Sequence, residues 1–191
     1  MRVVAGRLKG RALLAPRTDE IRPTSDRLRE TIFNVLSNGL GKYGIDDPVP
    51  NALVLDLFAG TGALAIEALS RGAAYAVMVD EGAEARGLLR GNIEAFGLGG
   101  TTRILRRSAM RLGTVSPFKP FTLVFCDPPY GKGLGLLALE SAIAGGWLAP
   151  GALIVLEERT GLEIVLPTPI TVIDKRAVGE GQILIGQFLT P

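Results

Sequence analysis

The sequence contains no histidine and a single cysteine, Cys126, among its 191 residues. Without imidazole there is no serine–histidine triad, no histidine general base and no usual zinc site. One cysteine closes no intramolecular disulfide and builds no cysteine-based metal cluster. No apolar run reaches the roughly 18 residues that span a bilayer, and the N-terminus has no continuous apolar stretch of signal-peptide type. A strong net charge is also missing, at only +2. These absences point to a soluble, cytoplasmic protein, off the membrane, whose chemistry uses neither metal nor imidazole, and the protein is expected to be a monomer.

What is present is the composition of a folded chain. Apolar residues make up 47% and charged residues 21%, which argues against disorder. The length suits one domain with a small appendage and a sizeable core. Charge is distributed unevenly. Arg2, Arg7, Lys9, Arg11 and Arg17 fall in residues 1–17 without an acid among them, and Arg103, Arg106 and Arg107 form a second basic cluster. A concentrated patch on a near-neutral protein suits a polyanionic partner at one face.

Hydrophobic patterning divides the chain at a loop over 41–50. Before it, Arg2–Gly6 and Arg11–Ala15 read as a basic-tipped β-hairpin around Arg7-Leu8-Lys9-Gly10. A polar connection over Pro16–Pro23 follows. Thr24 or Ser25 caps a helix with Asp26 in its first turn, and Leu28, Ile32, Val35 and Leu36 share one face. After the loop, strands are expected at 52–57, 75–80, 103–105, 121–126 and 152–157. Helices are expected at 63–70, 84–96 and 134–144. A final alternating pair lies at 170–174 and 182–189. Strands alternating with helices imply βαβ units and a mostly parallel sheet, to which the closing hairpin adds an antiparallel edge.

In such a sheet, ligands bind outside the carboxyl ends of the strands. Asp56, Gly60, Gly62, Asp80, Ser108 and Asp127 to Tyr130 all fall at those ends. Asp56-Leu57-Phe58-Ala59-Gly60-Thr61-Gly62 is a strand followed by a glycine turn that lets a ligand approach the backbone. Asp80, 18 residues after Gly62, is placed to accept both hydroxyls of a ribose. Together they imply an adenosine-containing cofactor. Gly60-x-Gly62-x-x-Ala65 also satisfies the dinucleotide fingerprint. A carboxylate at Asp56 would oppose a pyrophosphate and favour a cationic cofactor such as S-adenosylmethionine. At the fourth strand end, Asp127-Pro128-Pro129-Tyr130 offers a carboxylate, carbonyls freed by proline and an aromatic ring, which would hold an amino group on a flat ring. Cys126 and the pair Leu28 and Ile32 are expected to be core.

These motifs resemble the class I S-adenosylmethionine-dependent methyltransferases that modify exocyclic amino groups. Ala5-Gly6-x4-Gly10-Arg11, the block from Arg22-Pro23-Thr24-Ser25-Asp26-Arg27 to Ile32-Phe33-Asn34, and Glu67 to Ala73 resemble the RsmD family along essentially the whole chain. The resemblance implies a Rossmann-like fold with a mostly parallel seven-stranded sheet. It implies transfer of a methyl group from S-adenosyl-L-methionine to N2 of one guanine in 16S rRNA, within a 30S subunit or assembly intermediate, leaving S-adenosyl-L-homocysteine. It also divides the chain into an RNA-binding hairpin and helix over 1–40 and a methyltransferase domain over 41–191. Asp127, Pro128 and Tyr130 are then the catalytic group. Asp56, Phe58, Ala59, Gly60, Thr61, Gly62, Asp80, Ser108 and Ala109 would bind the cofactor. Arg7, Lys9, Arg11, Arg22, Arg27, Arg29 and Lys132 would bind RNA, and no metal is expected. Family members often carry an acid followed by alanine where this chain has Ser108-Ala109, and a serine hydroxyl can also bond the adenine amino group. Competing readings are an adenine-N6 methyltransferase using the same site chemistry, a nucleotide-binding oxidoreductase, and an RNA-binding assembly factor without turnover.

Overall fold

The apolar strand runs are buried on both faces. Val54, Leu55 and Leu57, and likewise Ala76 to Val79, are fully shielded from solvent, as continuous apolar strands of a covered parallel sheet should be. The computed structural model describes residues 1–16 and 25–189. Among these, seven strands form one sheet: β1 (Leu53–Leu57), β2 (Tyr75–Val79), β3 (Thr102–Leu105), β4 (Phe121–Cys126), β5 (Leu148–Arg159), β6 (Ile170–Val178) and β7 (Gly181–Phe188). The order is β3-β2-β1-β4-β5-β7-β6. β7 runs antiparallel to both its neighbours, and the remaining pairs are parallel. Strand order reverses between β1 and β4, and that is where such sheets open a crevice.

Among the described residues, four α-helices cover the faces: α1 (Asp26–Asn34), α2 (Ala63–Ser70), α3 (Ala83–Ala95) and α4 (Leu134–Ala144). Ser25 caps α1 by accepting from the Leu28 amide, as one of the two expected residues, and a π-helical turn over Val35–Gly39 extends that helix. Thr24, Arg17 and Arg22 lie outside the described residues, as does nearly all of the 16–23 connection. β5 starts at Leu148, ahead of the expected Ala152. The register shift between Phe121 and Leu123 against β5 absorbs Pro150-Gly151, which reads as a break in the sequence.

The N-terminal segment turns back on itself but forms only one antiparallel bridge, between Arg2 and Ala12. The expected hairpin ladder does not propagate because the amides at its tip bond to α2 instead. Val4 and Ala5 donate to the two carboxylate oxygens of Glu67 at 2.8 and 2.9 Å. Arg7 donates to the Ser70 carbonyl and Leu8 to the Ser70 hydroxyl. A Cβ on Gly6 would stand 2.0 Å from the Ser70 carbonyl oxygen, and Gly6 has φ +78°, so only glycine fits there. All eight residues of α2 are buried in consequence. Val3, Leu8, Leu13, Leu28 and Ile32 join the apolar core on that face of the sheet, with Val54, Leu123 and Phe125. Cys126 is buried in the second core, on the opposite face, with Leu55 and Trp147.

Candidate active site

The strand register sets the site. Leu57, the last residue of β1, pairs with Val79 of β2 on one side and Cys126 of β4 on the other. The next residues, Phe58, Asp80 and Asp127, therefore leave the sheet side by side. A cleft of about 760 Å³ opens above them, a size typical of small-molecule sites. Phe58 to Thr61, Asp80, Gly82 to Ala85 and Asp127 to Tyr130 line it. Ser25, Arg27 and Leu28 close one side, and Glu157, Arg159 and the turn Val178 to Gly181 close another.

The glycine turn is tightly fixed. Phe58 has φ +62° and Gly60 φ +54°, an uncommon conformation for a residue such as phenylalanine that is held only by its surroundings. Asp80 supplies part of that hold. One of its carboxylate oxygens accepts from the Gly60 amide at 2.9 Å and the other from Gly82 at 2.8 Å. Each oxygen keeps a lone pair for a hydroxyl. Gly62 does different work from its expected role. It lies outside the cleft lining, and a Cβ there would come within 2.7 Å of Leu89. Its smallness seats α2 against α3.

Asp56 corrects the expectation more sharply. It is buried, it does not line the cleft, and one of its oxygens accepts from the Ala65 amide at 3.2 Å. Burial pushes its carboxyl up to about 8, opposed by the Ala65 hydrogen bond and helped by the charges of Asp127 and Asp80. Near neutral pH it is mostly uncharged and ties β1 to the start of α2. The charge that would favour a cationic cofactor comes from other residues. The lining holds Asp80, Glu84, Asp127, Glu157 and Glu180 against Arg27 and Arg159. The inferred sign survives on different carboxylates.

At the other end of the cleft, Asp127 is half-buried and Pro128 is buried beside it. The Tyr130 hydroxyl donates to Glu157, and the Gly131 amide donates to Glu158 at 2.9 Å. The cleft thus places the Asp127 carboxylate and the Tyr130 ring beside the Asp80 carboxylate and a glycine turn. Among the described residues, no group of three or more Cys, Asp or Glu side chains is disposed to hold a metal ion. No helix there is long and apolar enough to cross a membrane.

A family model described as "Conserved hypothetical protein 95" matches residues 1–187. Ribosomal RNA small subunit methyltransferase D of Escherichia coli K12 is 36% identical over 168 residues, covering 88% of this chain and 78% of that protein. The protein of the same name from Buchnera aphidicola (Acyrthosiphon pisum) is 29% identical, covering 94% and 89%. The chain belongs to the RsmD family of rRNA methyltransferases. A solved Escherichia coli structure, yhhF, described as a methyltransferase, superposes with a TM-score of 0.80 at 32% identity, covering 99% of this chain and 98% of that one. A Haemophilus influenzae structure described as a methylase gives 0.77 at 27% identity, covering 99% and 98%. The Rossmann-like methyltransferase fold and the RsmD resemblance both hold.

The remaining expected residues separate in this RsmD-family chain. Ser108 and Ala109 do not reach the cleft: the Ser108 hydroxyl is turned to the Met110 sulfur at 3.8 Å, and Ala109 is packed into the core. Arg27 lines the cleft and is exposed. Arg29 does not act beside it, and its expected RNA contact is corrected. Its side chain is wholly buried, bonding the Arg2 carbonyl and pairing with Asp26 at 2.7 Å. Two positions along a helix put Arg27 and Arg29 on different faces. Arg7 and Lys9 are exposed at the tip of the N-terminal turn. Arg11 is engaged within the fold, bonding the Ala95 carbonyl and lying over the Phe96 ring. Lys132 is exposed just past the cleft without lining it.

Sequence reasoning missed Glu157, Glu158 and Arg159. The signal was available, since a charged triplet closes an apolar strand at the same end of the sheet as Asp80 and Asp127. It also missed Asn92, whose amide nitrogen bonds the Thr61 carbonyl and whose oxygen accepts from Leu14. A lone asparagine mid-helix carries no local signal for that link.

Proposed function

We propose that this RsmD-family chain transfers the methyl group of S-adenosyl-L-methionine to the exocyclic N2 amino group of a guanine in 16S rRNA, leaving S-adenosyl-L-homocysteine. The substrate is the RNA within the small subunit or one of its assembly intermediates. The observation that carries this reading is the convergence of Asp80 and the glycine turn with Asp127, Pro128 and Tyr130 in one cleft. The names of the family's curated members support rRNA as the substrate.

Phe58 to Thr61 and Asp80 would hold the cofactor, with the ribose hydroxyls on Asp80. When bound, the cofactor supplies an electrophilic methyl on a cationic sulfur, a charge that suits the acidic lining. Asp127 and the Pro128 carbonyl would accept the two amino hydrogens, turning the nitrogen lone pair out of the ring plane. Tyr130 would stack on the base, at roughly 1–3 kcal/mol per stacked base. The base must leave its stack to reach the cleft. Alignment of nitrogen, methyl and sulfur supplies much of the rate. The amine becomes strongly acidic once methylated, and its proton passes to Asp127 or solvent. Arg27 at the cleft wall, with Arg7, Lys9 and Lys132 outside it, would contact phosphates.

The test is a map of methylguanosine in small-subunit rRNA from cells lacking the protein and from the same cells complemented with it. One N2-methylguanosine should disappear and return. An unchanged map rules the assignment out. Parallel assays on DNA separate an adenine-N6 activity.

A further inference from the structure

Tyr130 is held from two sides. Its hydroxyl donates to Glu157, which stands near the carboxyl end of β5 and is only 5% exposed. Behind it lies Gly181, the first residue of β7. A Cβ on Gly181 would come 2.9 Å from the Tyr130 hydroxyl and 3.5 Å from the same Glu157 oxygen. The backbone following the ring is held separately: the Gly131 amide donates to Glu158, which also accepts from the Arg159 amide at 2.8 Å. The tetrapeptide at the end of β4 is therefore braced by consecutive carboxylates of the adjacent strand.

We propose that Glu157 is a positioning residue for methyl transfer, acting through the Tyr130 hydroxyl to fix the ring on which the target base stacks. The proposal rests on the methyltransferase reading of the cleft. A stacked base takes its plane and lateral position from the ring beneath it. A ring free to swing about its side-chain torsions carries the base with it, and the amino nitrogen loses its line to the methyl group. A buried carboxylate is a strong acceptor for a phenol, and the missing side chain at Gly181 leaves room for the hydroxyl to reach it.

Glu157→Ala is expected to lower kcat about ten- to a hundredfold, the scale of a small misplacement of reacting groups. Glu157 is one of the acidic groups lining the cleft, so cofactor affinity by calorimetry should fall modestly and equally in Glu157→Ala and Glu157→Gln, whereas kcat at saturating cofactor should fall only in Glu157→Ala. Glu157→Gln keeps an acceptor for the phenol and should recover most of the loss. Tyr130→Phe should reproduce the kcat of Glu157→Ala, and the double variant should be no slower than either single one. Gly181→Ala, which leaves both partners in place, should displace the hydroxyl and lower kcat in the same direction. Multiplicative losses in the double variant would overturn the proposal, since Glu157 would then act independently of the phenol, for example on the base itself.

A second readout does not depend on turnover. The chain has three tyrosines, so ring-labelled protein gives few signals by NMR. Tyr130 ring motion should quicken in Glu157→Ala and not in Glu157→Gln. Unchanged ring motion in Glu157→Ala would also overturn the proposal. If the wild-type protein left rRNA guanine unmodified, the functional reading would fall, while the ring measurement would still report on the tether.

Discussion

Asp56 stands on β1 and Asp127 just past the end of the neighbouring parallel strand β4, and their surroundings differ. Asp56 pairs with Phe125 in the register, and Asp127 comes two residues after Phe125. That is about 6.6 Å of strand. Over that distance the surroundings change from closed to open. Asp56 lies under the first turn of α2, bonded to the Ala65 amide and mostly protonated near neutrality. Asp127 lies beyond the sheet edge, half-buried in the cleft wall. Depth from the carboxyl edge, not residue type, decides which of the two carboxyls opens onto the cleft. The sharpest way to break the comparison is at Asp127. Asp127→Ala should reduce methyl transfer more than about a hundredfold, the lower bound for losing a positioned proton-accepting group. Calorimetry should show cofactor binding intact. Equal loss of both would move Asp127 to the cofactor side of the cleft.

A similar contrast separates two arginines of α1. Arg29 is buried between α1 and the N-terminal segment, while Arg27 opens onto the cleft. Arg29→Ala should destabilise the protein by about 3 kcal/mol, because it empties the space of a wholly buried side chain and removes its hydrogen bond to the Arg2 carbonyl. Urea unfolding would measure this. The folded fraction should bind RNA with unchanged salt dependence, since a side chain without solvent access releases no counterion from the RNA.

These contrasts mark what was legible in the sequence. The sheet was legible because the runs around Val54, Val77 and Val124 are apolar on both faces, and only a covered parallel sheet accommodates that. The convergence of Asp80 with Asp127 followed, since strand ends share an edge. Side-chain direction beyond the edge was not legible. The motif that includes Asp56 marks the strand end but does not reveal that α2 covers the carboxyl. The spacing of Arg27 and Arg29 puts them on different faces of a helix, but it does not reveal that the N-terminal segment covers Arg29. The N-terminal hairpin was overestimated for a related reason. Glu67 and Ser70, more than 60 residues away in sequence, take the amides that a ladder would have used.

The protonated state of Asp56 carries a pH dependence whose sign can be worked out. In the unfolded chain an aspartate titrates near 3.9, whereas in the fold Asp56 is raised to about 8. Between those values the folded protein keeps a proton that the unfolded chain has released. Stability contributed by this site is therefore full below the unfolded value, falls as pH rises, and levels off above the folded one. Asp56→Asn cannot ionise, yet its amide oxygen can still accept from Ala65. Its urea midpoint should fall less than the wild type's between about pH 5 and pH 8. Equal slopes in both proteins would place the ionised form inside the fold. Methyl transfer should change little, in contrast to Asp127→Ala.

The smallest expected effect is at Arg27, and it tests whether the acidic cleft and its basic wall face different parts of one substrate. Among the described residues, two arginines line the cleft, Arg27 on α1 and Arg159 at the end of β5. A guanidinium that neutralises one phosphate releases about one counterion. Arg27→Ala should therefore lower the slope of log affinity against log salt by about 1, with little change in kcat once RNA is saturating. A fall in kcat with an unchanged salt slope would put Arg27 against the base or the cofactor instead. The division of the cleft into an acidic floor for the cofactor and a basic wall for the phosphates would then fail. Binding measured at several salt concentrations, alongside single-turnover rates at saturating RNA, separates the two outcomes because only the first varies with counterion concentration.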